Sequence, residues 1–243
     1  MRMRSVLTSL ALTCAMGSAV AGPIHTLYDG SGSPTAQGWS MSGNVTQVSA
    51  GGTTQFTTAN DPGNRTSQFG LFKYDTGASD YIASVRLQVL SSNYNELDAG
   101  LTFGPFGDWT QGTAARVNTF MIGNGVVLWG DLSARVSLDT SVFHDYLFRY
   151  NDGQLSLYID ASFADIASGK ATAALSRMVE ASSATSHIGN VVWGDATNDP
   201  GVNSSYIVDE VRFQDLEAAE VPEPGTFLLM GLGLAGLMLR RRS

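Results

Sequence analysis

Two carboxylates separated by one residue come closest in this chain to a catalytic pair. Glu96 and Asp98 flank Leu97, and on a strand their side chains would project from one face, about 6 to 7 Å apart. Glycoside hydrolases use carboxylate pairs at such separations. Asn93 and Asn95 beside the pair are typical of turns, so we favour the alternative that these acids belong to a solvated turn.

The sequence contains no motif typical of a zinc-dependent or serine hydrolase. The three histidines, His25, His144 and His187, form no His-x-x-x-His or His-Glu pattern that would bind zinc. The sequence contains no Gly-x-Ser-x-Gly motif that would present a serine nucleophile. We therefore expect no catalytic residues and a protein that is not an enzyme.

Aromatic side chains offer a different chemistry, because an aromatic face can stack on a sugar ring. Trp109 lies in a stretch rich in Gly and Pro that is predicted to be a loop, and it is the best candidate for such stacking. Tyr94 and Tyr158 are further candidates. Trp129 and Trp193 stand in apolar runs, so we expect them to be buried.

Short strands must position these residues. Tyr81, Val85 and Val89 belong to an alternation of apolar and polar residues whose period of two turns one face inward. Similar runs, separated by Gly, Asn, Asp and Ser, recur at residues 99–103, 116–122, 126–129, 134–138, 146–150, 155–159, 188–193 and 206–213. This spacing predicts an all-β fold, an antiparallel sandwich or barrel.

Local signals refine this prediction. The sequence Asn151-Asp152-Gly153 between two runs predicts a tight hairpin, because Asp-Gly tolerates the positive φ that such a turn needs. An alanine-rich stretch predicts at most one short helix, over residues 170–180. Residues 24–74 are rich in Gly, Ser, Thr and Asn, so we expect irregular strands and loops there.

The N-terminus has the pattern of a cleaved secretory signal peptide. Arg2 and Arg4 precede an apolar run, and Ala19-Val20-Ala21 provides the small residues of a cleavage site. Cys14, the only cysteine, lies inside this segment. Cleavage would therefore leave a mature protein without a thiol for a disulfide, a metal site or a nucleophile.

The last 23 residues combine a proline-containing motif, a short apolar segment and a basic end. The apolar segment, residues 226–239, would rise about 21 Å as a helix, which is short of the ~30 Å hydrocarbon core of a bilayer. Arginine accumulates on the cytoplasmic side of membranes, so insertion of this short transmembrane helix would leave the preceding chain outside. The motif consists of Val221, Pro222, Glu223, Pro224 and Gly225, and the basic end consists of Arg240, Arg241 and Arg242.

The chain between the two ends is strongly acidic. Residues 22–220 carry 21 acidic and 9 basic side chains, a net charge of −12. Such a surface repels nucleic acid and anionic lipid, so we exclude nucleic-acid binding. We predict a signal peptide at 1–21, a single β-sandwich domain at 22–220 and a sorting segment at 221–243.

The C-terminal layout resembles the PEP-CTERM sorting signal of Gram-negative bacteria. The resemblance implies recognition by an exosortase-type processing protease and cleavage near Pro222-Glu223-Pro224. It also implies transient insertion into the inner membrane, then export to the cell surface or the extracellular matrix. In that family, export is linked to extracellular polysaccharide and biofilm.

Several strand motifs resemble those of concanavalin A-like lectin/glucanase domains. The similar segments are Phe143–Gly153, Leu157–Asp160, Ile188–Asp195 and Ser205–Phe213. The resemblance implies a jelly-roll-like antiparallel sandwich. Glucanases of this fold carry Glu-x-Asp-x-Glu, whereas Gly100 stands at the third acidic position here, so the proton donor would be missing.

A calcium site is predicted from the last strand motif. Asp209 would share a face with Ile207, Val211 and Phe213 if the strand alternated regularly. A buried carboxylate needs a partner, and in jelly rolls similar to this one the closing strand lies near the start of the chain, where Asp29 is available. We therefore expect either a structural calcium ion held by Asp209 and Asp29, or hydrogen bonds from backbone N–H groups to Asp209.

These observations favour an exported, single-domain β-sandwich that binds polysaccharide or serves in the extracellular matrix. Two alternatives stay open. One is a degenerate or unusual glycoside hydrolase or lyase, and the other is a purely structural surface protein.

Overall fold

The computed structural model describes residues 21–58, 70–92, 101–105, 118–179, 189–196 and 203–217. The chain divides into two compact units, and all of these residues belong to the unit Ala21–Glu217. The other unit, Met1–Val20 with Ala218–Ser243, lies outside the described residues. The predicted signal peptide and sorting segment are therefore not among them. Within the described residues, no helix has the length and hydropathy to span a membrane.

The described residues form short strands joined by tight turns. A 3₁₀ turn covers Pro34–Gln37 and a short helix, α1, covers Phe163–Ala167. The strands are β1 Ile24–Tyr28, β2 Ser40–Gly43, β3 Thr46–Ala50, β4 Thr53–Thr57, β5 Gly70–Asp75, β6 Tyr81–Ser92, β7 Leu101–Gly104, β8 Phe120–Gly123, β9 Val126–Trp129, β10 Arg135–Ser137, β11 His144–Asn151, β12 Gln154–Ile159, β13 Leu175–Met178, β14 Asn190–Asp195 and β15 Ser204–Asp215.

The strands build two antiparallel sheets, which confirms the predicted β-sandwich. The larger sheet has the order β13-β12-β11-β6-β15-β4-β3, and β1 also pairs with β15. The smaller sheet has the order β10-β9-β8-β7-β14-β5-β2. The pairing of β1 with β15 brings the closing strand to the start of the described chain, as expected.

The core lies between the sheets and is rich in aromatic rings. The predicted alternation holds in β6, where Tyr81, Val85 and Val89 are buried. Trp129 and Trp193 are also buried, as predicted. The ring of Trp193 in the smaller sheet stacks on Phe72 at a centroid distance of 4.4 Å. It also contacts Phe56 of the larger sheet edge-on at 5.2 Å, so it joins the two sheets.

The hairpin prediction is confirmed and the helix prediction is wrong. Asp152 and Gly153 both have positive φ, at 44° and 79°, and they connect β11 directly to β12. The predicted helix over residues 170–180 is replaced by β13, which pairs with β12. The helix forms earlier, because Ser162 Oγ accepts a hydrogen bond from the Asp165 N–H at 3.0 Å and so caps α1. Gly169, with φ 71°, follows the end of α1.

Trp193→Ala tests the role of the inter-sheet ring cluster. We expect the free energy of unfolding to fall by about 3–5 kcal/mol, because the substitution removes a large buried side chain and leaves a cavity. Urea denaturation of the full-length chain measures this change. Met178→Ala is the control, since Met178 is 64% exposed and should change stability by about 0.5 kcal/mol or less. Equal losses of unfolding free energy in the two variants would contradict the conclusion that the Trp193 ring joins the two sheets.

Candidate functional site

The outer face of the larger sheet carries a small second core under α1. Phe163 and Ile166 of α1 pack on Ile82 of β6 and Leu147 of β11. These four side chains are buried, and Tyr158 of β12 packs against them. The second core covers one part of the outer face.

A shallow groove of about 150 Å³ is present on the β11–β12 hairpin. We call it the hairpin groove. The core-facing residues Leu155 and Leu157 alternate with its lining residues on β12, which places the groove on the outer face. It is lined by Arg149, Asn151, Gln154, Ser156 and Tyr158.

The local sequence explains why these side chains converge. The antiparallel register pairs Arg149 with Ser156 and Asn151 with Gln154 across the two-residue turn. Alternate residues of paired strands share a face. The turn therefore places the groove residues of β11 beside those of β12.

Hydrogen bonds hold most of the groove side chains in place. Arg149 donates from Nε and Nη2 to the two carboxylate oxygens of Asp80 at 3.2 and 3.1 Å. The Asn151 amide nitrogen donates to the same carboxylate. Gln154 donates to the Ser176 hydroxyl at 2.9 Å, and the Ser156 hydroxyl lies 2.7 Å from that of Ser176. The polar groups are thus oriented before any ligand arrives.

The composition of the groove matches the chemistry of a carbohydrate. Amide, hydroxyl and guanidinium groups together supply both donors and acceptors, which sugar hydroxyls require. Tyr158 adds a phenol to the lining, and its side chain also packs against the second core.

The structure describes one of the three predicted sugar-stacking residues. Tyr158 lines the hairpin groove, whereas Trp109 and Tyr94 lie outside the described residues. Glu96 and Asp98 lie outside them as well. Sequence analysis missed the four polar residues of the groove, although the alternation on both sides of Asp152-Gly153 could have identified them.

The prediction that Asp209 lies among core residues is wrong. The register of β15 shifts between Val208, which pairs with Leu87, and Glu210, which pairs with Arg86. Asp209 is the extra residue of this β-bulge, so the alternation reverses there. Its side chain is 41% exposed, and the carboxylate accepts a hydrogen bond from Arg86 Nε at 3.0 Å.

Asp209 belongs to a network of charged side chains on the outer face. Arg86 also contacts Asp145 at 3.3 Å. Arg212 contacts the same Asp145 at 3.5 Å and Glu210 at 3.2 Å. The carboxylate of Asp209 is therefore not an isolated buried charge, and the ground for a calcium ion at this position is removed.

Asp29, the second predicted calcium ligand, is engaged by its own turn. Its Oδ1 atom accepts hydrogen bonds from the Ser31 N–H and hydroxyl and from the Gln37 amide. These bonds, chiefly those from Ser31, hold the pKa of Asp29 below its ordinary value. Across the described ranges, no group of three or more His, Cys, Asp or Glu side chains converges as metal ligands would.

Asp209→Asn distinguishes the ion pair from a metal site. We expect a loss of about 1 kcal/mol or less in the free energy of unfolding, because both side chains of the pair with Arg86 are more than a third exposed and solvent screens them. The loss should be the same in calcium and in chelator, as measured by urea denaturation of the full-length chain. A calcium-dependent gain in stability that Asp209→Asn abolishes would restore the metal site.

Some solved structures resemble this chain in outline. A carbohydrate esterase from the Shiga toxin-encoding bacteriophage phi24B is 17% identical, with a TM-score of 0.49, covering 79% of this chain and 99% of that one. The VIP36 exoplasmic/lumenal domain in its Ca2+/Man2-bound form is 12% identical, with a TM-score of 0.46, covering 81% and 88%. A glycosyl hydrolase family protein from Mycobacterium fortuitum is 10% identical, with a TM-score of 0.42, covering 80% and 99%. At these values the likeness supports no conclusion about what this chain binds or catalyses.

Sequence comparison is informative at the C-terminus alone. No curated protein matches the chain. Residues 220–242 match the family model of the PEP-CTERM protein-sorting motif. This match contains the proline motif, the apolar segment and the arginines that were singled out from the sequence. The chain therefore carries a PEP-CTERM protein-sorting motif, which indicates an exported protein that an exosortase sorts to the cell envelope.

Proposed function

We propose that this protein is an exported β-sandwich of the jelly-roll type that binds polysaccharide through the hairpin groove. The sorting motif supports export, and the predicted signal peptide at residues 1–21 is consistent with it. Processing by an exosortase-type system would follow transient insertion of residues 226–239 into the inner membrane. The product would act at the cell surface or in the extracellular matrix of a biofilm.

One observation carries the binding proposal. Tyr158 and four hydrogen-bonding side chains together line a groove on the outer face of the hairpin. Tyr158 packs on the second core, while the polar residues are held by Asp80 and Ser176. A sugar loses little binding free energy to reorganisation when its site is fixed in advance.

We propose binding without hydrolysis. Most glycoside hydrolase families use two carboxyl groups that flank the scissile bond. The five side chains that line the hairpin groove contribute two amides, a hydroxyl, a phenol and a guanidinium. Asp80 adjoins the groove, but its carboxylate is paired with Arg149.

Tyr158→Ala tests the proposed site. We expect at least a tenfold loss of affinity for the bound polysaccharide, about 1.4 kcal/mol, because Tyr158 is the only aromatic side chain among the five that line the groove. Tyr158→Phe should retain most of the affinity, since it keeps the ring. A glycan array followed by calorimetry on the full-length chain, in a detergent without a sugar headgroup, provides the measurement.

Val48→Ala serves as the control for this experiment, because Val48 is 60% exposed and lies on β3, at the edge of the larger sheet farthest from the hairpin. Absence of binding to every glycan would favour a purely structural surface protein. Release of reducing ends from a bound glycan would favour the hydrolase alternative instead.

The sorting proposal predicts a specific processed form. We expect the extracellular protein from the native host to lack the segment that follows Pro222-Glu223-Pro224, because the proline motif marks the region of exosortase cleavage. Intact-mass analysis of the secreted protein measures this directly. A mass that still includes Arg240 and Ser243 would exclude the processing step.

A further inference from the structure

We propose that Asp80 makes the hairpin groove selective for uncharged glycans over acidic ones. This inference rests on the proposed carbohydrate-binding function. It adds which ligand charge the groove accepts and which residue determines that preference. Asp80 does not line the groove itself. It contacts two residues that do, Arg149 and Asn151.

The position of Asp80 is fixed by the strands around it. Asp80 directly precedes β6, whose first residue, Tyr81, pairs with Tyr150 of β11. This register places Asp80 beside the end of β11. The Asp80 carbonyl also accepts a hydrogen bond from the Leu216 N–H at 2.9 Å. The carboxylate is therefore held next to the groove by backbone contacts on two sides.

The pairing with Asp80 changes what Arg149 can offer a ligand. Arg149 is the only cation among the five lining residues, and its Nε and Nη2 atoms both donate to Asp80. The two side chains are only 26% and 23% exposed, so solvent screens this pair less than a fully exposed one. The Nη1 hydrogens lie outside the pair and can donate to a neutral hydroxyl.

An acidic sugar would meet an unfavourable charge at this site. A uronate or carboxymethyl group that approached Arg149 would come close to the Asp80 carboxylate. The two negative charges would repel each other. The net charge of −12 on residues 22–220 adds a repulsion at longer range. A neutral sugar carries no charge, so neither repulsion opposes its binding. Its hydroxyls bind through hydrogen bonds.

The test compares a neutral polysaccharide with its carboxymethylated derivative. The probes are cellulose, dextran and mannan, each with its carboxymethylated form, and the full-length chain is used in a detergent without a sugar headgroup. We expect wild type to bind one neutral polymer at least tenfold more tightly than its acidic form. Asp80→Asn should reduce the ratio of neutral to acidic affinity at least threefold, because the positive charge of Arg149 is then no longer paired and attracts the acidic polymer.

Asp131→Asn is the matched control. Asp131 pairs with Arg177 through two hydrogen bonds of 3.0 and 3.3 Å, so its substitution removes one negative charge from another arginine–aspartate pair, as Asp80→Asn does. Neither residue lines the hairpin groove. The ratio between neutral and acidic ligands should therefore stay at its wild-type value in this variant.

Each outcome has a defined meaning. Equal changes in Asp80→Asn and Asp131→Asn would overturn the inference, because net charge alone would then explain the preference. Equal binding of neutral and acidic polymers by wild type would also overturn it. Asp80→Ser is measured in parallel, so that a folding defect in one variant leaves the comparison intact. Failure of wild type to bind any polymer would overturn the proposed function, and the inference with it.

Discussion

The two-residue turn at Asp152-Gly153 fixes the register of β11 against β12, and much of the structure depends on that register. The turn forms because both residues adopt positive φ. With this register, Tyr146, Phe148 and Tyr150 point into the core while Arg149 and Asn151 point outward. A slip by one residue would exchange the two sets and bury a guanidinium among aromatic rings. The same constraint therefore maintains the core and assembles the hairpin groove.

The length of α1 decides how much of the outer face stays open. Ser162 starts the helix, and Gly169, with φ 71°, follows its end. After this turn the chain becomes β13 and extends the sheet beside β12. Phe163 and Ile166 consequently cover Leu147 and pack against Tyr158, while Asn151 and Gln154 at the turn end of the hairpin stay accessible. The groove exists because a five-residue helix covers only part of the sheet.

The sequence predicted the features that depend on local pattern. The alternation in β6, the burial of Trp129 and Trp193 and the hairpin turn all follow from side-chain periodicity or turn chemistry, and the structure agrees. Asp209 was misplaced because a β-bulge adds one residue without a sequence signal such as glycine. The contact between Asp80 and Arg149 was not predictable, since it joins residues 69 positions apart and depends on the pairing of β6 with β11.

Ion pairing determines the electrostatic character of the described surface. Arg86, Arg149, Arg177 and Arg212 each contact an aspartate. These pairs are partly buried, and in each of them the aspartate offsets the charge of the arginine. Residues 22–220 carry a net charge of −12. Because they are paired, these four arginines form no basic patch on the described surface. The arginine that lines the hairpin groove is among these paired cations, so the groove offers a ligand chiefly hydrogen bonds.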